Sequence, residues 1–552
     1  MLELSLPKRE RDAEPSPATP RVQGLQADVV VIGAGVTGLT AALALKRASK
    51  RVVVLDAGTQ QTGESSRTTA HLTEVLDMRL ATLLARLGRD DARLLIEGQR
   101  QAIDQIEGWV GQLGVGCGFQ RLPGYLYAAR DDKAQQQVLE AEAKAALELG
   151  YGDIRAREIP ASFPIAGALR FDNQAQLRPR PYLAALESQI IGNGSLVVRG
   201  VRAQSIEDAP AGNPCRISTT GGELLADRVI VATHVPWGDE AGVHGKLTAY
   251  RTYVIAAPTD RPLGALLWDL ATPYHYARTV RVADRDYLVV GGGDHLVGQV
   301  IDTDAIFRKL SAFARGQFGP LEVSHRWSGQ IVESTDGLPL VGPRARGSKI
   351  LIATGLSGNG FTSGTLAGLV LADAVRGREN TWARLLTPDR PPSLAALGRR
   401  VGRNLAAAKR RLGRRTKNQP RRIEDLPPGA AMVARRNRES IAVYRQPGGP
   451  LLALPAACSR RDGQLRWNSA EKSWDCPSCG SRFTLSGEIL NGPAAVALPP
   501  RPLDEAPGAA VSAIAGPTGP RAGRAPAYPR PAPPRPAAAH AFRARGVDSG
   551  PK

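Results

Sequence analysis

Three glycines near the start of the chain have the spacing of a phosphate-binding turn. Gly33, Gly35 and Gly38 form Gly-x-Gly-x-x-Gly directly after an apolar run. Gly33 allows a tight turn, Gly35 lets backbone N–H groups approach a pyrophosphate, and Gly38 lets the next helix pack close to the strand. About 20 residues further on, a second apolar run ends at Asp56, whose carboxylate can accept hydrogen bonds from ribose hydroxyls. The pattern predicts a dinucleotide site but does not separate FAD from NAD.

Two further loops carry residue types that suit a bound cofactor. Residues 58–71 form a polar loop with small hydroxyl side chains, and residues 349–354 are a late apolar run that leads into a second glycine loop and a helix. A large flavin-binding domain is typically closed by such a distant segment, whereas an NAD domain is complete within its own nucleotide-binding halves. This pairing favours FAD. The predicted cofactor contacts outside the first turn are Ser65, Ser66, Arg67, Thr68, Thr69, Thr233, Gly355, Ser357, Gly358, Asn359, Gly360 and Phe361.

Apolar runs and their periodicity predict the elements that must position these loops. Helices are expected at 90–113, 132–149, 303–318 and 366–375, and the first has an apolar face that indicates a core position. The expected strands are 28–32, 51–55, 196–198, 228–234, 250–256, 277–282, 287–290 (closed by three glycines) and 349–354.

Charge is distributed unevenly along the 552 residues. The net charge is +20, but residues 391–552 hold 28 of the 72 Lys and Arg and only 10 of the 52 Asp and Glu. The first 390 residues are therefore nearly neutral, and electrostatic arguments about partners concern the last third. Five cysteines are not a disulfide framework, and no run of 18 apolar residues predicts a membrane span. With no apolar signal region in the first 26 residues, a cytoplasmic location is expected.

Residues 27–385 resemble the FAD-dependent oxidoreductases of the D-amino-acid-oxidase type. A subgroup of these proteins carries a Rieske-type [2Fe–2S] domain after the flavin part and has a Gly-Gly-x-x-His-x-x-Gly-Gln segment, which residues 291–299 match. The resemblance implies oxidation of a substrate C–N bond with hydride transfer to the flavin. The segments that carry it are the glycine turn with Asp56, and residues 65–70, 229–234, 336–342 and 353–360.

The resemblance also implies the fold class and the domain boundaries. We expect an α/β FAD-binding flavoprotein fold, Rossmann-like and in two domains, followed by a small all-β Rieske-like domain. The FAD-binding parts would span about 27–85, 160–235 and 326–385, and the substrate parts about 86–159 and 236–325. The remaining segments are a disordered leader at 1–26, a basic linker helix within 386–422, the Rieske-like domain at 423–500, and a disordered Pro/Ala/Arg-rich tail at 501–552.

The candidates for catalysis are few, because in a flavoenzyme the flavin carries the redox chemistry. His295 follows a strand and a glycine turn and matches the family segment. The alternative for this side chain is a structural, hydrogen-bonded histidine. Arg251 and Arg278 lie on expected strands, where either could bind a substrate carboxylate or form an ordinary ion pair. Residues 274–276, Tyr-His-Tyr, fit a pocket wall or a domain seam.

The Rieske-like region keeps the framework of that family but not its ligands. The family's Cys-x-His-x-x-Cys loop reads Cys-Ser-Arg-Arg-Asp-Gly at 458–463, and its Cys-Pro-Cys-His-Gly loop reads Cys-Pro-Ser-Cys-Gly at 476–480. Arg460 and Cys479 therefore occupy the two histidine positions. Gly463 and Ser478 occupy the positions of the cysteine pair that links the two loops in the family.

These replacements argue against a cluster. A Rieske centre binds one iron by two cysteines and the other by two histidines. Cys458 and Cys476 can serve the first iron, but Arg460 is a permanent cation with no lone pair to donate. We expect no metal here, and hence a structural cap or interaction surface. Three thiolates with Asp462 or Asp475 could instead hold zinc, and a retained [2Fe–2S] cluster is a further alternative.

The functional expectation is an FAD-dependent oxidoreductase that acts on a small-molecule amine or amino acid and passes electrons to an unknown acceptor. One alternative keeps flavin and [2Fe–2S] as an electron relay. Another, from a different class, is a flavoprotein whose basic third binds anionic membrane or nucleic acid. Its basis is residues 393–415, which predict a basic amphipathic helix, although docking on the flavin domain is the simpler interpretation.

Overall fold

The computed structural model describes residues 19–61, 63–210, 212–237, 240–299, 302–391, 423–436, 439–460, 463–503 and 512–514. The N-terminal part contains β1 (Gln26–Ile32), α1 (Val36–Arg47), β2 (Val52–Asp56), α2 (Glu64–Arg67), β3 (His71–Leu72), α3 (Leu80–Leu113), β4 (Gln120–Ala129), α4 (Lys133–Glu148), β5 (Arg155–Ala156), β6 (Ile165–Gln176), α5 (Pro179–Ile190), β7 (Leu196–Arg199), β8 (Ala203–Glu207), β9 (Cys215–Thr219), β10 (Gly222–Val231), β11 (Leu247–Pro258), β12 (Leu266–Asp269), β13 (His275–Val282), β14 (Arg285–Leu296), α6 (Thr303–Phe318), β15 (His325–Ser334), β16 (Leu340–Pro343), β17 (Ile350–Thr354), α7 (Gly360–Val375) and α8 (Ala383–Leu386). The C-terminal part contains β18 (Ala431–Arg436), β19 (Glu439–Arg445), β20 (Leu451–Pro455), β21 (Arg466–Asn468), β22 (Ser473–Asp475), β23 (Arg482–Phe483), β24 (Ile489–Asn491) and β25 (Ser512–Ile514).

The first sheet has a parallel core in the order β17-β10-β1-β2-β7. Its strands are nearly continuous Val, Ile and Leu runs, as expected when both faces of a parallel sheet are covered. Helices α1 and α7 pack closely: a Cβ at Gly368 would lie 2.7 Å from the Thr37 carbonyl oxygen. The loops after β1 and β17 therefore meet at the carboxyl edge of this sheet, where doubly wound folds bind nucleotides.

The second sheet runs in the order β15-β11-β14-β13-β12-β4-β6-β3, with most neighbours antiparallel. Helix α6 covers one face, where Phe307 and Leu310 share a core with Tyr253 and Ile255 of β11. Strand β11 pairs with both β14 and the edge strand β15, so this end of the sheet is fixed by long ladders on either side of β11. It is the sheet that carries the expected substrate residues.

Several elements differ in extent from the prediction. Helix α3 begins at Leu80, ten residues early, and bends at Gly88, which has φ 76°. Helix α7 starts within the second glycine loop, at Gly360. Strand β14 runs on through the glycines that were expected to end it, because Gly291 and Gly292 pair with both β11 and β13. The Tyr276 ring lies against Gly291, where a Cβ would overlap it. The polar loop contains the short helix α2.

The expected terminal segments are also shorter than predicted. Val22 is buried and its N–H donates to the Gly221 oxygen, so residues 19–25 belong to the fold rather than to the leader. Residues 512–514 form β25 against β18, inside the expected tail. Residues 1–18, the predicted basic helix at 393–415 and most of 501–552 lie outside the described residues. No helix in the described part of the chain combines the length and hydropathy that a membrane span needs.

The C-terminal part is all-β, as predicted, with two sheets in the orders β20-β19-β18-β25 and β21-β22-β23-β24. Aromatic side chains form its core: the Trp467 ring lies 5.3 Å from Tyr444 and 5.1 Å from Trp474, and Phe483 is fully buried. The predicted framework aromatics therefore hold this domain by packing.

Candidate active site

A cavity of about 2800 Å³ lies between the carboxyl edge of the first sheet and the middle of the second. Its lining includes the first glycine turn, the polar loop, the loop after β17 and strands β11, β13 and β15. Residues 469–472 and 484–495 of the C-terminal part form a further wall. The cavity is thus built by both sheets and covered by the C-terminal domain.

The glycine turn has no room for larger residues. Gly33 has φ 106°, and a Cβ there would overlap the Ala232 carbonyl oxygen at the end of β10. A Cβ at Gly38 would overlap the Gly33 oxygen, which shows how closely α1 packs on the turn. A Cβ at Gly35 would lie 2.9 Å from Ser65 Oγ, at the cavity surface. The tight turn at Gly33 and the close helix packing at Gly38 are therefore present, and the pyrophosphate contact at Gly35 stays a prediction.

Polar groups at this end of the cavity fit an adenine dinucleotide. The Val36 N–H, at the start of α1, donates to Ser65 Oγ at 3.0 Å, so the helix N-terminus faces the polar loop. Asp56 accepts from the N–H groups of Ala34 at 2.7 Å and Gly58 at 2.8 Å. Burial raises the pKa of Asp56. The start of helix α1, which can face a pyrophosphate, and a carboxyl group that can accept from a ribose therefore lie together at this end of the cavity.

Asn359 fixes the far end of the cavity. Its Oδ1 accepts from the Asp77 N–H at 3.0 Å, and its Nδ2 donates to the Val75 oxygen at 2.9 Å and to Thr73 Oγ1. The Asp77 carboxylate in turn accepts from the Gly358 N–H. Burial raises the pKa of Asp77. The returning loop and residues 73–77 are thus held together as one edge of the site.

All the predicted cofactor contacts except Gly38, Ser66 and Gly355 line the cavity. Those three act indirectly. Gly38 permits the close helix packing described above, Ser66 Oγ donates to the Gly63 oxygen at 2.7 Å, and Gly355 turns with φ 72° against Ser334. The distant closing segment favoured by the sequence is therefore observed.

A hydroxyl-rich wall faces the cavity from the second sheet. It consists of Thr252 on β11, Tyr274, and Tyr276 on β13, which line the cavity; Thr252 Oγ1 lies 3.4 Å from Tyr276 Oη. Behind it, the Asp294 carboxyl hydrogen-bonds to Thr252 and Tyr274. Burial raises the pKa of Asp294 to about 7, and the negative charge of Asp77 contributes in the same direction. Among the described residues, Asp294 Oδ1 has no hydrogen-bond partner.

His295, the leading candidate from the sequence, faces away from this wall. Its side chain is 5% exposed and is absent from the described lining. Nδ1 donates to the Leu296 oxygen at 2.8 Å, and Nε2 accepts from Tyr253 Oη at 3.0 Å. Burial lowers its pKa. The structural alternative considered for this histidine is therefore the one its surroundings support.

Arg278 is buried beside the site rather than in it. Its Nη2 donates to the Leu177 oxygen at 3.1 Å and its Nη1 to Gln176 Oε1 at 3.3 Å. His71, which the sequence did not single out, lines the cavity with its ring 5.3 Å from that of Tyr276. Burial, together with the charge of Arg278, lowers the pKa of His71 to about 3, so this imidazole stays neutral.

Arg251 belongs to a buried set of charges between the two parts of the chain, here called the seam cluster. Glu471 lies at its centre, 3.4 Å from Arg251, 3.7 Å from Arg67 and 3.3 Å from Arg482. Arg482 also contacts Asp475 at 3.0 Å. The seam cluster is the group Glu64, Arg67, Arg251, Glu471, Asp475 and Arg482, with three positive and three negative side chains. Arg251 is therefore engaged by the C-terminal domain.

The family model for FAD dependent oxidoreductases, DAO, matches residues 28–374, well over half of the chain. The chain belongs to the FAD dependent oxidoreductase (DAO) family. The model for the Rieske [2Fe-2S] domain matches residues 419–502. This DAO-family protein is thus an FAD-dependent oxidoreductase with a C-terminal Rieske domain.

Two of the relatives with curated names share both parts or the first alone. The putative Rieske 2Fe-2S iron-sulfur protein YhfW of Bacillus subtilis (strain 168) is 29% identical over 484 residues, which cover 87% of this chain and 94% of the relative. Gamma-glutamylputrescine oxidoreductase of Escherichia coli (strain K12) is 27% identical over 377 residues, covering 64% of this chain and 85% of the relative. The crystal structure of glycine oxidase from Geobacillus kaustophilus matches with TM-score 0.55 and 19% identity, over 66% of this chain and all of that one. The last likeness shows the fold.

The Rieske match requires a test of whether a [2Fe–2S] cluster fits the DAO-family chain. Two of the four ligand positions keep a thiol, Cys458 and Cys476, and their sulfur atoms lie within 4.8 Å of each other. At a third, the Arg460 guanidinium turns to the flavin part, with Nη1 3.2 Å from His244 Nδ1. Guanidinium offers no lone pair, and Cys479 stands where the second imidazole belongs. The residues present do not fit a Rieske cluster.

Proposed function

We propose that this protein oxidises the C–N bond of a small amine, bound between FAD and the wall formed by Thr252, Tyr274 and Tyr276. FAD, when bound, accepts the hydride that leaves the substrate carbon. The observation that carries the proposal is the unpaired carboxyl oxygen of Asp294, directly behind a hydroxyl wall that lines the cavity. An ammonium group is the natural partner for such a carboxyl.

The chain's own residues would bind and deprotonate the substrate. A protonated amine holds its lone pair in an N–H bond, so one proton must leave before the carbon can lose a hydride. Asp294 lies behind the wall and hydrogen-bonds to Thr252 and Tyr274, so that proton would reach it through one of these hydroxyls. Its pKa of about 7 is matched to accept the proton near neutral pH. Tyr274 and Tyr276 would orient the amine by accepting from its N–H groups, and burial raises the pKa of both phenols, so they stay neutral. His71 stays neutral and adds no competing positive charge.

The named relatives support an amine or an amino acid as the substrate class. Gamma-glutamylputrescine oxidoreductase is named for an amine derivative, and a curated glycine oxidase that is 23% identical over 378 residues is named for an amino acid. The two arginines considered for a substrate carboxylate are both engaged elsewhere, Arg251 in the seam cluster and Arg278 by Gln176 and Leu177. This favours an amine over an amino acid.

The C-terminal domain would act as a cap on the flavin cavity, and electrons would leave the flavin directly to an external acceptor. Residues 469–472 and 484–495 line the cavity, and the seam cluster ties them to the flavin part. A relay through [2Fe–2S] has no support from the ligand positions. Binding of anionic membrane or nucleic acid rests on residues 393–415, outside the described part, and a salt titration of vesicle and duplex binding would test it.

The test is a product assay on the purified FAD-loaded protein with an artificial electron-accepting dye. Monoamines, diamines and their N-acyl or N-alkyl derivatives are compared with amino acids. Each turnover should reduce one two-electron equivalent of dye and, after hydrolysis of the oxidised C–N bond, release one carbonyl compound and one amine or ammonia. Dye reduction by amino acids alone would show that the substrate is an amino acid rather than an amine. Dye reduction by neither class would refute the proposal.

A further inference from the structure

The two loops that replace the Rieske ligands converge on three thiols. Cys458 follows β20, and Cys476 and Cys479 lie in the loop between β22 and β23. Their Sγ atoms all lie within 4.8 Å of one another, and those of Cys458 and Cys479 are 3.7 Å apart. Cys458 and Cys476 are buried, whereas Cys479 is partly exposed, so one side of the group is open.

From this arrangement we propose that the three thiols bind a single zinc ion, with an open fourth position, in place of a [2Fe–2S] cluster. Zn–S bonds are about 2.3 Å long, so sulfur atoms on a tetrahedral ion are about 3.8 Å apart. The observed 3.7 Å between Cys458 and Cys479 matches that edge. Three thiolates on one ion also need no histidine, which removes the difficulty that Arg460 poses for a second iron.

The loops are already folded around this position. The Cys458 N–H donates to the Gly463 oxygen at 2.9 Å, and the Cys476 N–H donates to the Ser481 oxygen at 2.8 Å. A Cβ at Gly463 would lie 2.6 Å from Ser478 Oγ and 2.8 Å from Cys476 Sγ. It would also lie 2.9 Å from Ser478 Cβ, whereas the two Cβ atoms of a disulfide are about 3.8 Å apart, so the loops approach more closely than a disulfide at these positions would allow. This contraction favours one ion over a two-iron cluster.

The Ser481 hydroxyl lies against the most exposed of the three thiols, Cys479. Ser481 is fully buried, its Oγ accepts from the Ala494 N–H at 3.0 Å, and it lies 3.1 Å from Cys479 Sγ. With its acceptor side occupied, the hydroxyl can donate to a thiolate at Cys479. Such outer partners orient metal ligands, and their loss typically costs about 10–100-fold in metal affinity.

The ion would also brace the seam between the two parts of the chain. Gly480, in the same loop as Cys476 and Cys479, has φ 76°, and a Cβ there would overlap the Gln330 side chain of β15. It would lie 3.0 Å from Ala249 Cβ on β11. An ion that fixes this loop therefore fixes a contact with β11 and β15, two strands that line the cavity.

Cobalt substitution tests the site on the full-length, FAD-loaded protein. After chelator treatment, added Co²⁺ should bind at one ion per chain, with thiolate charge-transfer absorption and the visible bands of a tetrahedral centre, and Zn²⁺ should displace it. Cys458→Ser and Cys479→Ser should lose these bands, and Ser481→Ala should weaken binding about 10–100-fold. Cys117→Ser and Cys215→Ser are the matched controls, because both thiols are buried elsewhere and should leave the bands unchanged.

A variant that keeps a ligand guards against misfolding. Cys479→His should retain one Co²⁺ with a blue-shifted spectrum, whereas Cys479→Ala should not, and retained flavin absorbance reports the fold in each. The absence of stoichiometric Co²⁺ or Zn²⁺ binding would overturn the proposal. Two irons with two sulfides per chain after anaerobic purification would overturn it as well.

Discussion

Asp294 and His295 are neighbours on β14, but their side chains occupy opposite environments. Asp294 lies behind the cavity wall with an unpaired oxygen, and His295 is enclosed on the other face by Tyr253 and its own backbone. The alternation of side chains along a strand produces this division. Our proposal therefore assigns proton transfer to the aspartate, one position before the histidine of the family segment.

The Asp294→Asn substitution should lower kcat/KM for the best amine by about 10²-fold or more, since it removes a proton acceptor. In the wild type, kcat/KM should rise as pH passes through about 7, where this carboxyl ionises. The variant should lose that rise. A pH profile of kcat/KM for both proteins measures the effect.

Two controls separate chemistry from folding in this experiment. Asp286→Asn changes a carboxyl on the same strand that pairs with the exposed Arg281, and activity should be unchanged. The raised folded pKa of Asp294 means that its ionisation costs stability increasingly as pH rises from about 3.8 to about 7. Asp294→Asn removes this cost, so above pH 7 it should be at least as stable as the wild type. An unchanged pH profile would contradict the assigned role.

The Glu471→Gln substitution should destabilise the protein by about 3–5 kcal/mol, because it leaves buried arginines uncompensated. Arg251 is 1% and Arg482 is 2% exposed, and both contact Glu471. Denaturant unfolding measures the loss. Glu439→Gln, which removes an exposed carboxyl 3.9 Å from Arg501, should change stability by no more than about 0.5 kcal/mol.

The seam cluster should also make the wild type sensitive to acid. Burial opposes ionisation of Glu471, but Arg251, Arg482 and Arg67 outweigh it and lower its pKa. A depressed folded pKa contributes stability above the ordinary value of 4.5, and that contribution is lost as pH falls below it. Stability of Glu471→Gln should therefore vary less with pH in this range. Equal pH dependence in the two proteins would show that Glu471 is not held ionised by the seam cluster.

The Gly35→Val substitution should abolish retention of FAD. Its Cβ would lie 2.9 Å from Ser65 Oγ, and its methyl groups would enter the surface that the pyrophosphate must approach. The ratio of flavin to protein after gel filtration measures this. Gly108→Ala on helix α3, where a Cβ meets open space, is the control and should retain flavin. Stoichiometric flavin in Gly35→Val would show that this turn does not contact the cofactor.

The Gly291→Ala substitution should reduce turnover while FAD is retained. A Cβ at this position would overlap the Tyr276 ring and displace it from the cavity wall. Gly316→Ala, on α6 where a Cβ meets open space, is the control and should leave turnover unchanged. Comparable kcat/KM in Gly291→Ala and wild type would show that Tyr276 does not position substrate.

Local patterns predicted the FAD half of the site because its chemistry is carried by backbone and spacing. Gly33, Gly35 and Asp56 could be placed without any tertiary information, since the strand, turn and helix are consecutive. The substrate wall could not be placed in the same way. Whether Asp294 or His295 points toward the cavity wall depends on the register of β14 against β11 and β13. The three glycines suggested that the strand ends before these residues, so this register could not be predicted.

The roles of the arginines were hidden for a different reason. Arg251 meets Glu471 across 220 positions of the sequence, and only the docking of the C-terminal domain on the flavin part brings them together. The sequence did predict the missing Rieske ligands, because both loops are short and their positions can be read residue by residue. It offered the three thiolates as an alternative zinc site, and the structure adds that Cys458, Cys476 and Cys479 converge within 4.8 Å.

The most direct test of amine oxidation at this wall is the single-turnover rate of flavin reduction, followed by the flavin's visible absorbance under anaerobic conditions. The wild type and Asp286→Asn should be fully reduced by the best amine at the same rate. Asp294→Asn should bind the same FAD but be reduced about 10²-fold or more slowly at pH values above 7. Equal rates in all three proteins, or a flavin that no amine reduces, would contradict the account.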